Sequence, residues 1–192
     1  VFAELDDAGQ EGAVQILVRA SLDRDRVLAT LCHLAKKGNA GGRQAALHAL
    51  KGFNKPGISQ VIIDALEDPE PRVRAEAILQ VRPRQILGAF SILIRMVDDP
   101  AEEVREALRT AMPEFSLRQF LRSFDDMAPE PRQVAGTLVR KIARDCVPHL
   151  LHEMDRPSPV GRRRAVLAAL AMGMVSQLEK RIIELLSDED HI

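Results

Sequence analysis

Two histidines and two carboxylates in the second half of the chain have a spacing that metal ligands use. Asp145, His149, His152 and Glu153 share the helix face opposite Leu150, and His149 stands four residues before Glu153. Zinc is one candidate occupant of such a pair, and a solvated polar helix face is the alternative. Because no third ligand at a fixed spacing and no supporting shell accompany the pair, we predict a solvated face with no metal and no other cofactor.

A run of glycines offers a second kind of chemistry, which is phosphate binding. Gly38, Gly41 and Gly42 lie just before a predicted helix, and a helix N-terminus can hold a phosphate. The run follows no predicted strand and lacks the Lys-Ser/Thr pair of a P-loop, so we interpret it as a flexible turn. No Ser-His-Asp or Cys-His arrangement can be placed by spacing, and Cys32 and His33 point to different helix faces. We therefore predict no catalytic residues and no enzyme activity.

The composition is that of a folded, nearly neutral chain with few aromatic side chains. Hydrophobic residues make up 46% and charged residues 29% of the 192 residues, which is enough apolar material for a continuous core. The formal net charge of −1 gives no global attraction to nucleic acid or to an anionic membrane. Six Phe with no Trp or Tyr leave few stacking surfaces for bases or sugars. The two distant cysteines favour reduced thiols and a cytoplasmic location, and the longest apolar run, Ala165 to Val175, is too short to cross a bilayer.

A repeated turn organises the chain. Asp68-Pro69-Glu70-Pro71-Arg72-Val73-Arg74 lies between two apolar segments, and an aspartate six residues before an arginine recurs further along the chain. The arginines that mark this position are, in order, Arg43, Arg74, Arg105, Arg132 and Arg163, which are 31, 31, 27 and 31 residues apart. A period near 30 residues, filled by two helical patterns and a turn, is typical of an α-solenoid.

We predict an all-α fold, a right-handed two-layer superhelix of about a dozen helices in about six HEAT-like pairs. The predicted repeats are residues 1–21, 23–52, 56–82, 85–113, 116–143, 146–173 and a partial repeat at 175–192. We expect a single solenoid domain that is a fragment of a longer protein, because the pattern starts and stops inside repeats. The predicted core positions are Leu47, Leu50, Ile62, Leu66, Ala77, Val81, Leu93, Leu108, Met112, Leu138, Leu150 and Leu170.

The aspartate, the arginine and the proline turn, followed by an apolar-small pattern in the second helix, resemble HEAT repeats. The resemblance covers nearly the whole chain and is closest to the short bacterial repeats of the phycobilisome-lyase-like group. It implies a ladder of hydrogen bonds between repeats, formed by Asp68, Asp99 and Asp126 with Arg74, Arg105 and Arg132. Lys37 and Pro157 replace the aspartate before Arg43 and Arg163, which leaves those two arginines for other work.

The resemblance also implies a scaffold that binds proteins rather than an enzyme. Helical-repeat DNA glycosylases depend on tryptophan around the lesion, and this chain has none. Deoxyhypusine hydroxylases have a similar architecture but hold two irons with several His-Glu pairs, whereas this chain has only His152-Glu153.

The expected binding surface is the concave face lined by the second helices of successive repeats. The residues predicted to contact a partner there are Gln44, His48, Lys51, Leu79, Arg82, Arg109, Gln133, Arg140 and Arg164. This row is polar to basic, so we expect a partner protein with an acidic segment. The alternative is nucleic-acid binding by residues 132–164, where eight Lys or Arg face three acids. The sequence gives no indication of the oligomeric state.

Overall fold

The structure, a computed structural model, describes residues 2–187, and every regular element in that range is helical. The α-helices are α1 (Asp7–Arg19), α2 (Arg24–Lys37), α3 (Ala40–Leu50), α4 (Gly57–Ala65), α5 (Pro71–Val81), α6 (Ala89–Arg95), α7 (Glu102–Ala111), α8 (Leu117–Ser123), α9 (Pro129–Ile142), α10 (Cys146–Met154), α11 (Pro159–Ala171) and α12 (Val175–Leu186). Three 3₁₀ helices span Phe2–Glu4, Pro113–Phe115 and Phe124–Asp126. The prediction of an all-α fold with about a dozen helices is confirmed.

Short polar side chains and prolines set the starts of the helices. Asp6, Asp23 and Asn39 each accept a hydrogen bond from the backbone N–H three residues later, which satisfies a donor in the first turn of α1, α2 and α3. Proline occupies the first turn of α5, α9 and α11, where it removes no intrahelical hydrogen bond. These local signals cut the chain into the short helices that a helical repeat needs.

The chain forms two compact units, Val1–Ala111 and Met112–Ile192. In the first unit, α1, α3, α5 and α7 lie side by side as one layer, and α2 and α4 form a second layer. Each second-layer helix also packs on the helix that follows it, α2 on α3 and α4 on α5. This two-layer stack of helix pairs is the α-solenoid packing that the repeat predicted.

The second unit uses the same packing. Here α9 lies beside α11, α10 lies beside α12, and α10 packs on α11. Its core holds Phe120 and Phe124, whose rings meet edge to face with 5.3 Å between centroids, together with buried Leu150 and Met154. Gly136 of α9 lies so close to α11 that an added Cβ would stand 2.7 Å from the α11 backbone. The two helices can approach this closely because glycine has no side chain.

Ten of the twelve predicted core positions are buried, namely Leu47, Leu50, Ile62, Leu66, Ala77, Val81, Leu93, Leu108, Met112 and Leu150. The prediction for Leu170 is wrong, since 63% of this residue is exposed while Ala169 beside it is fully buried. Leu138 is half-buried, and its neighbour Val139 takes the core position. One residue rotates a helix by about 100°, so a small error in register exchanges a core position for a surface one.

The interpretation of the glycine run as a flexible turn is wrong for two of its three glycines. Gly38 ends α2, but Gly41 and Gly42 lie in the first turn of α3, and both are buried. They face α1, which begins at Asp7. The glycines permit a close contact between helices, and this requirement explains their occurrence within a helix.

The first helix of the predicted repeat at residues 85–113 begins later than the repeat itself. The repeat was predicted to start at residue 85, whereas α6 spans Ala89–Arg95. Gln85 (φ 53°) and Gly88 (φ 74°) both occupy the left-handed region, which a helix cannot continue through. The intervening Ile86 is buried and holds this loop on the core.

Candidate partner-binding groove

Two arginines join successive repeats in the first unit. Arg43 Nε and Nη2 donate to the carboxylate of Asp68 at 2.7 and 2.8 Å, and Arg74 donates in the same way to Asp99 at 2.8 and 2.9 Å. The third nitrogen of each guanidinium binds a carbonyl just before its own helix, Gly38 O for Arg43 and Asp68 O for Arg74. Each carboxylate also accepts the backbone N–H two residues later. These bidentate pairs fix the register between repeats.

The pairing changes the ionisation of its members. Hydrogen bonds to the partner carboxylates raise the pKa of Arg43 and of Arg74 above the ordinary arginine value. Burial alone would raise the pKa of Asp99, but hydrogen bonds from Arg74 and from the Ala101 N–H outweigh burial and hold that pKa below its ordinary value. Both ends of the Arg74–Asp99 pair are therefore charged at neutral pH.

The predicted ladder differs from this geometry in how its members are paired. Arg43 was assigned to other work but forms a rung with Asp68. The Arg74 guanidinium binds the carboxylate of Asp99, which lies 25 residues later in the next repeat. Within its own repeat, Arg74 donates to the backbone carbonyl of Asp68. The reason is geometric, because each aspartate accepts the backbone N–H of the residue just before the following helix and binds the arginine of the preceding repeat with the same carboxylate.

The predicted rungs beyond Asp99 take other forms. The Arg105 guanidinium donates to the backbone carbonyl of Asp99 and not to its carboxylate. It also pairs with Glu102 on its own helix. Arg132 donates to the carbonyls of Phe124 and Asp125, and its guanidinium lies 4.7 Å from the centre of the Phe124 ring. Asp126 is exposed in a 3₁₀ helix, so its predicted pairing with Arg132 is not found.

In the predicted repeat at residues 146–173, the anchor position is one residue earlier than predicted. Arg162, which is buried, donates to the carbonyls of Arg156 and Pro157, as Arg74 does to the turn before its own helix. Arg163 is exposed.

A groove of about 450 Å³ runs along the outer side of the first layer, between α1 and α3. The α1–α3 groove is lined by the apolar residues Val14, Val18, Ala45 and Ala49 and by the polar residues Glu11, Gln15, Arg19, Gln44, His48 and Glu76. Val14 is buried, whereas 51% of Val18 is exposed. The groove therefore presents small apolar side chains with polar groups among them.

Glycines bring α1 and α3 together below this groove. A Cβ on Gly42 would lie 2.1 Å from Gln10 Oε1 and 2.9 Å from Gln10 Cβ, so no larger residue fits without a shift. Buried Gln10 accepts the Asn39 N–H at 3.0 Å and donates to Phe2 O at 2.8 Å. These hydrogen bonds of Gln10 hold α1 against the N-terminus of α3.

Arg72 of α5 also contacts α1. Its guanidinium forms a hydrogen-bonded ion pair with Asp7 and lies 4.0 Å from Glu11, both on α1. The hydrogen bond from Arg72 is the main reason that the pKa of Asp7 is below its ordinary value. Gly41 of α3 lies near this contact. A Cβ atom added at Gly41 would stand 2.7 Å from Glu11 Oε1.

The buried carboxylate of Glu76 is part of the groove lining. Glu76 Oε1 accepts hydrogen bonds from Lys51 Nζ at 2.7 Å and from Gln80 Nε2 at 3.2 Å, and Glu76 Oε2 lies 3.5 Å from His48 Nδ1. Only 9% of the Glu76 side chain is exposed. Gln80 also donates to Leu47 O at 2.7 Å, which fixes Glu76 against the C-terminal half of α3.

Arg84 extends this network around the end of α3. It donates to Gln80 Oε1 at 3.0 Å and to the carbonyls of Leu50 and Phe53 at 2.5 and 3.2 Å. Burial lowers the pKa of Arg84 below its ordinary value. The side chain caps carbonyls at the negative end of the helix and holds Gln80 in place.

The structure brings some of the predicted partner-contact residues together in the first unit. Gln44 and His48 line the α1–α3 groove, whereas Lys51 and Leu79 line a neighbouring groove of about 520 Å³. Lys51 is engaged by Glu76 as described above. Arg82 is half-buried.

The remaining predicted contacts are engaged elsewhere in their own units. Arg109 pairs with Glu102 and Glu106 on its own helix, at 2.5 and 2.7 Å. In the second unit, Arg140 donates to the backbone carbonyl of Gly173 at the end of α11, Arg164 donates to Asp125 at 2.8 Å, and Gln133 is exposed.

The sequence did not predict the α1 side of the groove or Glu76. The predicted contact residues begin at Gln44 on α3, so Val14 and Val18 of α1 were not among them. Glu76 was not among them either. Its spacing of four residues from Gln80 is the available signal, because side chains four residues apart share one face of a helix.

The metal and phosphate candidates gain no support from the geometry. Among residues 2–187, no group of three or more His, Cys, Asp or Glu side chains is placed to hold a metal ion. The His149 ring instead contacts Asp145 O at 2.8 Å, within the same helical turn. The glycine run is covered by Gln10 of α1, so its helix N-terminus is closed to a phosphate.

Within the described residues, no helix combines the length and apolar character needed to cross a membrane.

Part of the chain is similar to a known repeat family. The search of curated proteins found no match. The family model for HEAT repeats matches residues 28–113, which include both bidentate Arg–Asp rungs and the helices from most of α2 through α7. This match, together with the two-layer helix stack, shows that residues 28–113 are similar to HEAT repeats.

Proposed function

We propose that this chain is a protein-interaction scaffold and that the α1–α3 groove holds a segment of its partner. The observation that carries the proposal is the groove itself, with an apolar lining on the outer side of a layer of helices. HEAT-like solenoids serve mainly to present such surfaces. We further propose that the repeats belong to the short phycobilisome-lyase-like group, because the Asp-Pro turn and the anchor arginine recur with its spacing.

The shape and chemistry of the groove suit a helical or extended peptide segment. A volume of about 450 Å³ lies within the range of specific binding sites. Val18 on one wall is half-exposed and available for apolar contact, and Ala45 and Ala49 on the other wall allow a partner backbone to approach closely. An amphipathic helix that inserts one or two apolar side chains is a common solution for such a surface.

Nucleic-acid binding by residues 132–164 has weaker support. Several arginines in this segment already bind groups of their own unit: Arg132 and Arg162 bind backbone carbonyls, and Arg164 binds Asp125. A phosphate backbone would have to compete with these contacts. An arginine that is bound to a carboxylate or a carbonyl of its own unit has fewer donors left for a ligand. The number of basic residues in the segment therefore overstates how many can bind phosphate.

The experiment compares a variant with a filled groove with a matched surface variant. Ala45→Trp places an indole in the groove, whereas Ala29→Trp places it on the exposed face of α2 in the other layer. Both variants should keep their helical circular dichroism. Proteins captured from the source organism by the parent and by Ala29→Trp should be lost from Ala45→Trp, and nuclease treatment should not change them.

An identical set of captured proteins for all three chains would exclude the groove as the binding site. Loss of the captured proteins upon nuclease treatment would favour nucleic-acid binding instead.

A further inference from the structure

The two carboxylates that line the α1–α3 groove have cationic partners within the chain. Glu76 pairs with Lys51 Nζ at 2.7 Å, and only 9% of the Glu76 side chain is exposed. Glu11 lies 4.0 Å from the Arg72 guanidinium, which also binds Asp7. A partner that approaches the groove therefore meets acids whose charge the fold has already offset, fully for Glu76 and in part for Glu11.

The polar lining residues with unused hydrogen-bonding capacity include one cation and no acid. Within residues 2–187, the side chains of Gln15, Arg19 and Gln44 form no hydrogen bond and no ion pair. A guanidinium can only donate, and its planar fork of N–H groups matches the two oxygens of a carboxylate. The two glutamine amides offer further N–H donors. The charge that this lining leaves unpaired is therefore the positive charge of Arg19.

Arg19 stands among apolar side chains that are also available to a partner. Its neighbour Val18 is half-exposed, and 70% of Ile16 is exposed. Arg19 and Gln15 line both the α1–α3 groove and a second groove of about 520 Å³ on α1, which they share with Ile16. Glu11 precedes Arg19 by eight residues, or about 12 Å along the helix axis, so the cation is well separated from the acid on the same helix.

We propose that the segment held in the α1–α3 groove carries an Asp or Glu next to an aliphatic residue. Its carboxylate accepts hydrogen bonds from the Arg19 guanidinium and from the Gln15 amide one helical turn earlier, while its aliphatic side chain packs on Val18. This inference rests on the proposed function and names the chemistry of the partner. It keeps the acidic segment expected from the sequence but assigns the contact to Arg19, because Lys51 is already paired.

The test selects a random dodecapeptide display library against four purified chains, namely the parent, Arg19→Glu, Arg26→Glu and the groove-filled Ala45→Trp. Arg26 is an exposed arginine of α2 in the other layer, so its reversal changes the net charge equally without touching the groove. Arg19 is exposed and unpaired among the described residues, so Arg19→Glu should keep the circular dichroism and the thermal unfolding of the parent.

The parent should enrich peptides with Asp or Glu within four positions of Leu, Ile or Val. A synthetic peptide from that pool should bind Arg19→Glu at least about tenfold more weakly than the parent, whereas Arg26→Glu should bind it within about twofold of the parent. Replacing the acid of the peptide by Lys should restore binding to Arg19→Glu, because the exchanged charges attract each other again. Failure of this rescue would overturn the direct contact with Arg19.

The possible results separate the two proposals. Enriched peptides without an acid, or acidic peptides that bind Arg19→Glu as tightly as the parent, would overturn the acidic partner. If such peptides fail to bind Ala45→Trp, the groove stands as the binding site. Peptides that bind Ala45→Trp as well as the parent would overturn both proposals. Selection of no peptide above background would overturn the inference about the partner.

Discussion

Replacement of Gly42 by alanine tests the contact on which the groove depends. In an open helix this substitution is stabilising, because alanine is favoured over glycine by about 1 kcal/mol in a helix interior. At Gly42 the new methyl group would lie 2.1 Å from Gln10 Oε1 and 2.9 Å from Gln10 Cβ, and both distances are shorter than a Cβ atom adopts in real structures. Either Gln10 leaves its buried site or α1 moves away from α3.

The size of the effect follows from the bonds that Gln10 makes. Displacing it breaks the hydrogen bonds to the Asn39 N–H and Phe2 O, each contributing about 1 kcal/mol. Overpacking a tight contact adds about 1 to 3 kcal/mol, and the gain in helix propensity offsets about 1 kcal/mol of this loss. We therefore expect Gly42→Ala to lower the free energy of unfolding by about 2 to 4 kcal/mol.

Gly12 provides the matched control, since it lies in α1 and a Cβ there meets no atom within 4 Å. Gly12→Ala should raise the free energy of unfolding by about 0.5 to 1 kcal/mol. Urea unfolding followed by circular dichroism at 222 nm measures both changes, and equal m-values would show that the denatured state is unaffected. If both substitutions shift the midpoint in the same direction by a similar amount, the close packing of α1 on α3 is incorrect.

Two further predictions concern the Arg–Asp pair and the core register. Because the folded pKa of Asp99 is depressed, its stabilising contribution is present above the unfolded value of about 3.9 and is lost as the pH falls through the folded value. Asp99→Asn should therefore lower the free energy of unfolding by about 1 to 3 kcal/mol at pH 7, and by progressively less as the pH falls below 5. Asp126→Asn, at an exposed position, should change the free energy of unfolding little. If the free energy of unfolding of the two variants depended on pH in the same way, this role of Asp99 would be refuted. Leu150→Ala should lower the free energy of unfolding by about 2 to 5 kcal/mol and Leu170→Ala by less than about 0.5 kcal/mol, and equal losses in urea unfolding would contradict the burial of only one of them.

The period of the sequence was enough to predict the repeat fold and most of its core. Apolar positions that recur with the helical period must face the neighbouring repeat, and residues such as Leu47 and Leu108 are buried for that reason. The predicted helical register was wrong where small residues form the contact between helices. In α11 the alanines face the core and Leu170 faces outward, because the closest approach of α9 and α11 is set by Gly136.

The pairing of the ladder could not be read from the same period. The six-residue separation of Asp68 and Arg74 suggests a contact within one repeat, yet the arginine binds the aspartate of the next repeat. Both arrangements produce identical spacing in the sequence, because one repeat of 31 residues less six gives the observed 25. Only the direction of the carboxylate distinguishes them, and that direction depends on the hydrogen bond that Asp99 accepts from the Ala101 N–H in the turn before α7.

The same limit applies to the basic binding surface predicted from the sequence. A count of basic residues treats every guanidinium as available, but Arg140 is directed at the carbonyl end of α11 and Arg109 at two glutamates. Lys51 is likewise bound to Glu76, a largely buried acid that the count ignores. The charge that a partner meets depends on which hydrogen-bonding atoms the fold has already used.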